Sequence, residues 1–256
     1  MPNNLLVFQH IDLEKPGRLL RQAAEKFDVG LEVIRIHRQA APDPADFDGL
    51  LILDGPADIN EEERYPFLRE EKRYIKAWLA MDRPCLGFCL GHQLLADVLG
   101  ARVRENFMPS IGFIEGFLTH NGREHPLFTG LDSKLVLFKW HNQSIQTPLP
   151  RELVMLATSS QCVVEAFSVA GRPHIIGLQC DNHAACPDDV ASRCRQNDEW
   201  LATTTKTKHC RETLVREAEQ LFPAMRDTFF TLFGNFINII AAWKQDRNIG
   251  SSRSES

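Results

Sequence analysis

Cys89 has the setting of a nucleophile for covalent catalysis, and an acid and a histidine, Asp181 and His183, stand two residues apart farther along the chain. Cys89 lies in Gly87-Phe88-Cys89-Leu90-Gly91-His92-Gln93, with a glycine two residues to either side. A short apolar run, Cys85–Phe88, enters the segment, and a helical pattern from Gly91 to Leu99, closed by Gly100, leaves it. A nucleophile on a sharp strand-to-helix turn needs small residues at those two places, because the helix packs back against the strand. At a helix N-terminus the dipole and the free N–H groups stabilise a thiolate and can cradle an oxyanion. Cys85 reads as a buried packing residue instead.

The elements that must hold this turn alternate between strand and helix. Leu5–Phe8, Leu31–Ile36, Leu50–Leu53 and Cys85–Phe88 read as strands. Between them, Pro16–Phe27 and Phe67–Met81 carry apolar residues at helical spacing. This order predicts βαβ units, a mostly parallel sheet and a site at the carboxyl ends of its strands. Farther on, Ile111–Thr119, Leu135–Lys139, Leu153–Ala157, Val163–Val169 and Ile175–Gln179 read as strands spaced like antiparallel hairpins. The remainder reads as helices over Asp188–Leu201, Arg211–Leu221 and Ala224–Trp243. Residues 1–245 are expected to form a single α/β domain with an open, mostly parallel sheet, helices on both faces and an added antiparallel region. Residues 246–256, ending in a serine-rich stretch, are expected to be a flexible tail.

The Gly87–Gln93 segment resembles the Gly-x-Cys-x-Gly-x-Gln nucleophile motif of the class I glutamine amidotransferases. Asp54-Gly55-Pro56 resembles that family's Gly-Gly-Pro oxyanion loop, with Asp54 replacing its first glycine. Trp140-His141-Asn142 resembles its Trp-His-Gly segment, and Val164-Glu165-Ala166-Phe167 and Gly177-Leu178-Gln179 follow in the family's order. The resemblance spans Leu5 to His183 and reappears at Asn235-Phe236. It implies a flavodoxin-like fold and a cysteine that attacks the side-chain amide of glutamine, releasing ammonia and forming a glutamyl thioester. By matched position, Gly55 and Leu90 would supply oxyanion N–H groups and Gln93 would help hold glutamine. A loop at His141, Asn142 and Gln143 would border the substrate.

The family's general base stands in Gly-x-Gln-x-His-Pro-Glu. Here the stretch is Gly177-Leu178-Gln179-Cys180-Asp181-Asn182-His183, so Asp181 occupies the place of His and His183 that of Glu. Two extended residues cover about 6–7 Å, whereas a base must come within about 3 Å of its proton. A carboxylate beside Cys89 would raise the thiol pKa. Three arrangements are open. The loop shifts so that His183 is the base, oriented by Asp181 or by Asp188 or Asp189. Alternatively His141 or His92 replaces it, or hydrolysis is lost and the pocket binds only. Cys180-x-x-His183-x-x-Cys186 also has ligand-like spacing, with Cys162, Cys194, His209 or Cys210 as a fourth ligand, but no second tight pair accompanies it. No metal or other cofactor is expected.

Composition bounds the partners. The 256 residues carry a net charge of −5, with 43% hydrophobic and 25% charged residues, as in an ordinary globular protein. There is no basic run of the kind nucleic acid requires. The start, Met1-Pro2-Asn3-Asn4, does not read as a signal peptide, and Phe229–Trp243 is too short for a membrane span. Seven cysteines, an odd count in a chain this long, fit reduced thiols and a cytoplasmic location. The chain lacks a phosphate-binding glycine loop. A complete amidotransferase would therefore need a separate ammonia-accepting synthetase, with glutamine as the ligand here. A binding protein on the same fold, or a cysteine hydrolase of other γ-glutamyl amides, are the competing functions.

Overall fold

A computed structural model describes residues 3–204 and 211–254. Strand β1 (Asn3–Gln9) is followed by helix α1 (Arg18–Lys26), β2 (Val29–Arg35), β3 (Gly49–Ile52), α2 (Phe67–Ala80), β4 (Cys85–Phe88) and α3 (Leu90–Val98). Then come β5 (Val103–Leu118), the short α4 (His120–Glu124), β6 (Lys134–Ile145), β7 (Leu153–Ser159), β8 (Ala166–Val169) and β9 (Arg172–Leu178). Helices α5 (Pro187–Gln196), α6 (Asp198–Thr204) and α7 (Arg211–Ser254) complete the order.

The nine strands form one sheet in the order β2-β1-β3-β4-β9-β8-β7-β5-β6. The first five are parallel, and from β8 onward each neighbour is antiparallel. The α/β class, the parallel half and the antiparallel addition match the sequence expectation. Alternate strand residues divide between two cores. Leu5, Val7, Leu51, Leu86 and Phe88 pack under α1 and α7, against Leu19, Leu20, Phe229, Phe233 and Phe236. Leu6, Phe8, Leu50, Ile52 and Cys85 pack under α2 and α3, against Leu68, Ile75, Trp78, Leu94 and Leu95. A third cluster joins Phe138 and Trp140 of β6 to Val190, Cys194, Leu214, Ala218 and Met225.

Four boundaries differ from the sequence expectation. His141, Asn142 and Gln143, expected in a loop, lie on β6, because no turn residue interrupts the chain before Ile145 and this stretch pairs with β5. Strand β5 begins eight residues earlier than Ile111 and bulges between Glu105 and Ser110, a kink that hides it from a period-2 pattern. Asn197 divides the expected helix Asp188–Leu201, its side chain donating to the Arg193 carbonyl at 2.9 Å. Conversely, Pro223 does not end a helix: α7 continues through it, held on both sides by buried Ala218 and Met225. Helix α7 also continues to Ser254, into the expected tail, and residues 255–256 lie outside the described residues. No helix among the described residues is long and apolar enough to cross a membrane.

The strand-to-helix turn depends on backbone proximity. A Cβ on Gly91 would come within 2.3 Å of the Ile52 carbonyl oxygen, and one on Gly87 within 2.5 Å of the Gly91 backbone. Neither obstacle is a side chain that can swing away. Gly91→Ala should therefore destabilise the protein by about 3 kcal/mol, read as a lower urea midpoint at unchanged m-value.

Candidate active site

Four neighbouring parallel strands deliver the site at their carboxyl ends. His10 follows β1, Asp54 follows β3, Cys89 follows β4 and Asp181 follows β9. Cys89 is the N-cap of α3 with φ 45° and ψ −100°, a left-handed backbone that a non-glycine residue adopts only under constraint. Its N–H donates to the Leu178 carbonyl at 2.9 Å, and its own carbonyl accepts from the Gln93 N–H at 3.1 Å. The residue is withdrawn from solvent, with only 3% of its surface exposed.

Two carboxyl groups converge on that thiol. Ligand-type atoms of Asp54, Cys89 and Asp181 all lie within 4.8 Å of one another. Arg193, from α5, bridges the acids: its Nη1 is 3.0 Å from Asp54 Oδ2 and 2.8 Å from Asp181 Oδ2. All four residues are buried. Burial pushes the Cys89 thiol well above its ordinary pKa, and Asp181 and Asp54 push it further, with Arg193 offsetting only part. Burial likewise raises the Asp181 carboxyl well above the carboxylate range, reinforced by Asp54 and opposed by Arg193.

His183 does not join this group. The Gly17 N–H donates to its Nδ1 at 3.2 Å, so the neutral ring carries its proton on Nε2 and its basic lone pair is occupied. Nε2 faces Asp181 Oδ1 at 3.8 Å, and neither atom has a hydrogen-bond partner. The ring lies edge-on to Phe88, with centroids 4.8 Å apart. Burial, and then Arg193, lower its pKa to about 3. Gly17 approaches so closely that a Cβ there would meet the His183 carbonyl at 2.2 Å, which ties α1 to this loop. The expected base is therefore packed away from the nucleophile, and Asp181 takes its place beside Cys89. His92 packs on Phe167, its pKa lowered to about 3 by burial. His141 is also held neutral, burial and then Lys139 lowering its pKa well below the ordinary value.

The remaining expected residues do meet. Gly55, Leu90, Gln93, His141, Asn142 and Gln143 line one cavity of about 350 Å³ together with Cys89. Gln93 Nε2 donates to the Gln143 carbonyl at 2.8 Å, joining α3 to the β6 wall. Cys180, His183 and Cys186 do not converge as metal ligands among the described residues, and the expected contributors His209 and Cys210 lie outside them.

The family model "Glutamine amidotransferase class-I" matches residues 11–181. The chain belongs to this family. It is 28% identical to a glutamine amidotransferase-like protein, YfeJ, of Salmonella typhimurium over 175 residues, covering 67% of this chain and 72% of YfeJ. It is 31% identical to one of the subunits of the glutamine-hydrolysing GMP synthase of Sulfolobus acidocaldarius, covering 59% of this chain and 76% of that one. A glutamine amidotransferase from Thermotoga maritima superposes with a TM-score of 0.82 at 22% identity, over 93% of this chain and 99% of that one. Against the pattern of the class I amidotransferases, two of the departures in the sequence, Asp54 and Asp181, are the two acids that meet beside Cys89.

Three contributors escaped the sequence. Arg193 had a signal: with Val190 and Cys194 it lies on the buried stripe of α5, where a lone arginine implies an internal acid. Glu14, on the cavity wall, had none. His10, just past the end of β1, is the third. Its Nδ1 lies 2.8 Å from the Asp54 carbonyl and its Nε2 2.9 Å from Glu71 Oε1. A carbonyl and a carboxylate both accept, so both ring nitrogens donate and the ring is an imidazolium. Because C=O and N–H point opposite ways across a trans peptide, anchoring the Asp54 carbonyl turns the Gly55 N–H away from His10.

Arg193→Met should destabilise the protein by about 3 kcal/mol or more by stranding buried acids, and adding Asp181→Asn should recover most of that in chemical denaturation. Burial alone would lower the His10 pKa, but Glu71 and the Asp54 carbonyl raise it to about 9. A raised histidine stabilises fully below its unfolded pKa of about 6.5 and loses that contribution as pH rises through about 9. Wild type should thus lose about 3 kcal/mol more than Glu71→Gln between pH 7 and pH 10, measured by parallel denaturation curves.

Proposed function

We propose that the cavity above Cys89 binds a carboxamide ligand, and that the protein in this conformation does not hydrolyse glutamine at neutral pH. The observation that carries this is the Asp54–Arg193–Asp181 bridge under the Cys89 thiol. A nucleophilic cysteine needs a base to take its proton. Here two acids lie beside the thiol, and His183, the expected base, has its lone pair engaged by Gly17. The turn itself persists, with Cys89 strained at φ 45° and Gly55, Leu90 and Gln93 around the same cavity. Such a site keeps the means to hold an amide without those to cleave it: the Gly55 and Leu90 N–H groups would receive the carbonyl, and Gln93, His141, Asn142 and Gln143 would border the rest.

A second function draws on the same strained turn, which costs the fold stability and is the arrangement a nucleophile needs. In it Cys89 attacks the glutamine amide, forms a glutamyl thioester and passes ammonia to a synthetase partner. The likeness to the glutamine-hydrolysing GMP synthase supports this. It requires the Gly17–His183 hydrogen bond to break and His183 to replace Asp181 beside the thiol. A cytoplasmic location suits either function, six cysteines among the described residues being free thiols.

Glutamate release from glutamine, and Cys89 alkylation by iodoacetamide followed by peptide mass spectrometry across pH, separate the two. Glutamate release by wild type should equal that of Cys89→Ala, and the alkylation midpoint should lie above the free-thiol value of about 8.5. Asp54→Gly with Asp181→His should bring that midpoint down. Cys89-dependent turnover at pH 7.5, or a wild-type midpoint below the free-thiol value, would establish the amidase instead.

A further inference from the structure

We propose that the ligand of this cavity is a carboxamide whose far end is cationic, an ammonium or guanidinium group, rather than one that carries a carboxylate as glutamine does. The inference rests on the cavity being the ligand site. Its wall presents four carboxyl groups, Glu14, Asp54, Asp58 and Glu61, against one cationic side chain, Arg64. Two of the four are already satisfied. Asp54 is paired with Arg193 at 3.0 Å, and Glu61 receives both the Asp58 N–H at 3.0 Å and Arg64 at 3.2 Å.

Of the four, that leaves Glu14 and Asp58. Glu14 Oε2 is sealed from solvent with no hydrogen-bond partner. The Asp58 carboxylate makes no hydrogen bond or ion pair among the described residues, and its nearest charges are mainly repulsive, Glu61 and Glu105 adding to burial in raising its pKa. His141, only 5% exposed on the same wall, supplies a third acceptor. Its Nδ1 lies 2.7 Å from the Gln143 carbonyl and must donate, so Nε2 is a bare lone pair, and it too has no partner. A buried unpaired acceptor is costly until a donor reaches it. A carboxylate-bearing ligand would add a fifth carboxyl group and find on the wall only Arg64, which Glu61 shares and whose side chain is 70% exposed. An ammonium or guanidinium would instead bring several donors to acceptors that lack one, and a positive charge to Asp58, which Glu61 and Glu105 face.

The test uses three commercial probes at equal concentration with the full chain: L-argininamide, a carboxamide with an ammonium, a guanidinium and no carboxylate; L-arginine, its carboxylate counterpart; and L-glutamine. Isothermal titration gives affinity, and protection of Cys89 from alkylation at alkaline pH locates the ligand. L-argininamide should bind at least tenfold more tightly than L-glutamine or L-arginine, protect Cys89, and weaken at least tenfold in Asp58→Asn combined with Glu14→Gln. L-glutamine binding as tightly as L-argininamide, or affinity unchanged in the double variant, would each overturn the cationic assignment while leaving the cavity a ligand site. Binding without protection of Cys89 would put the ligand elsewhere and remove the ligand-site assignment. If none of the three binds or protects, the ligand-site assignment falls, and this inference with it.

Discussion

One guanidinium holds the centre of this molecule. Arg193 reaches from α5 into the space where β3 and β9 end and bridges two buried acids beside a buried thiol. Without a cation, two carboxyl groups in that position would repel each other in a medium that solvates neither. The bridge therefore fixes more than charge. It docks α5 against the sheet, sets the loop after β9, and with it the position of His183.

The chemistry follows from that constraint. Proximity of a cysteine to acids is the reverse of what thiolate formation requires, because neighbouring carboxylates oppose the negative charge of the product state. The histidine that would relieve this is immobilised by an unrelated demand, the close approach of α1 at Gly17, whose amide takes its lone pair. The turn meanwhile keeps its strained backbone at Cys89, with α3 packed on β3 through Gly91. Scaffold and chemistry are thus separable: the turn is maintained by packing, while the protonation state is set by side chains that arrive from other strands. His10 and Glu71 belong to the same layer of control, since their buried pair anchors the peptide leading into Gly55.

Much of the fold could be read along the chain. The apolar runs of β1, β3 and β4, the amphipathic α1 and α2, and the glycines around Cys89 are local signals, and each element lies where its pattern placed it. The antiparallel addition was legible from its hairpin spacing. What misled were polar strands and an internal proline. His141–Gln143 look like a loop because a strand that walls a cavity is polar on that face. Pro223 looks like a terminus because the loss of one N–H is a local cost, whereas α7 is held by side chains many residues to either side.

The sequence by itself determined the family, the strand-to-helix turn, Cys89 at its apex, and the departures at Asp54 and Asp181, since each is a matter of residue type at fixed spacing. It also determined that an acid and a histidine stand in reversed order. Only the tertiary structure decided that Asp54 and Asp181 meet beside the thiol, that Arg193 from a distant helix joins them, and that Gly17 occupies the His183 lone pair. Those contacts join residues as far apart as 166 positions. The protonation states that govern the site depend on distances and burial, which no periodicity along the chain encodes.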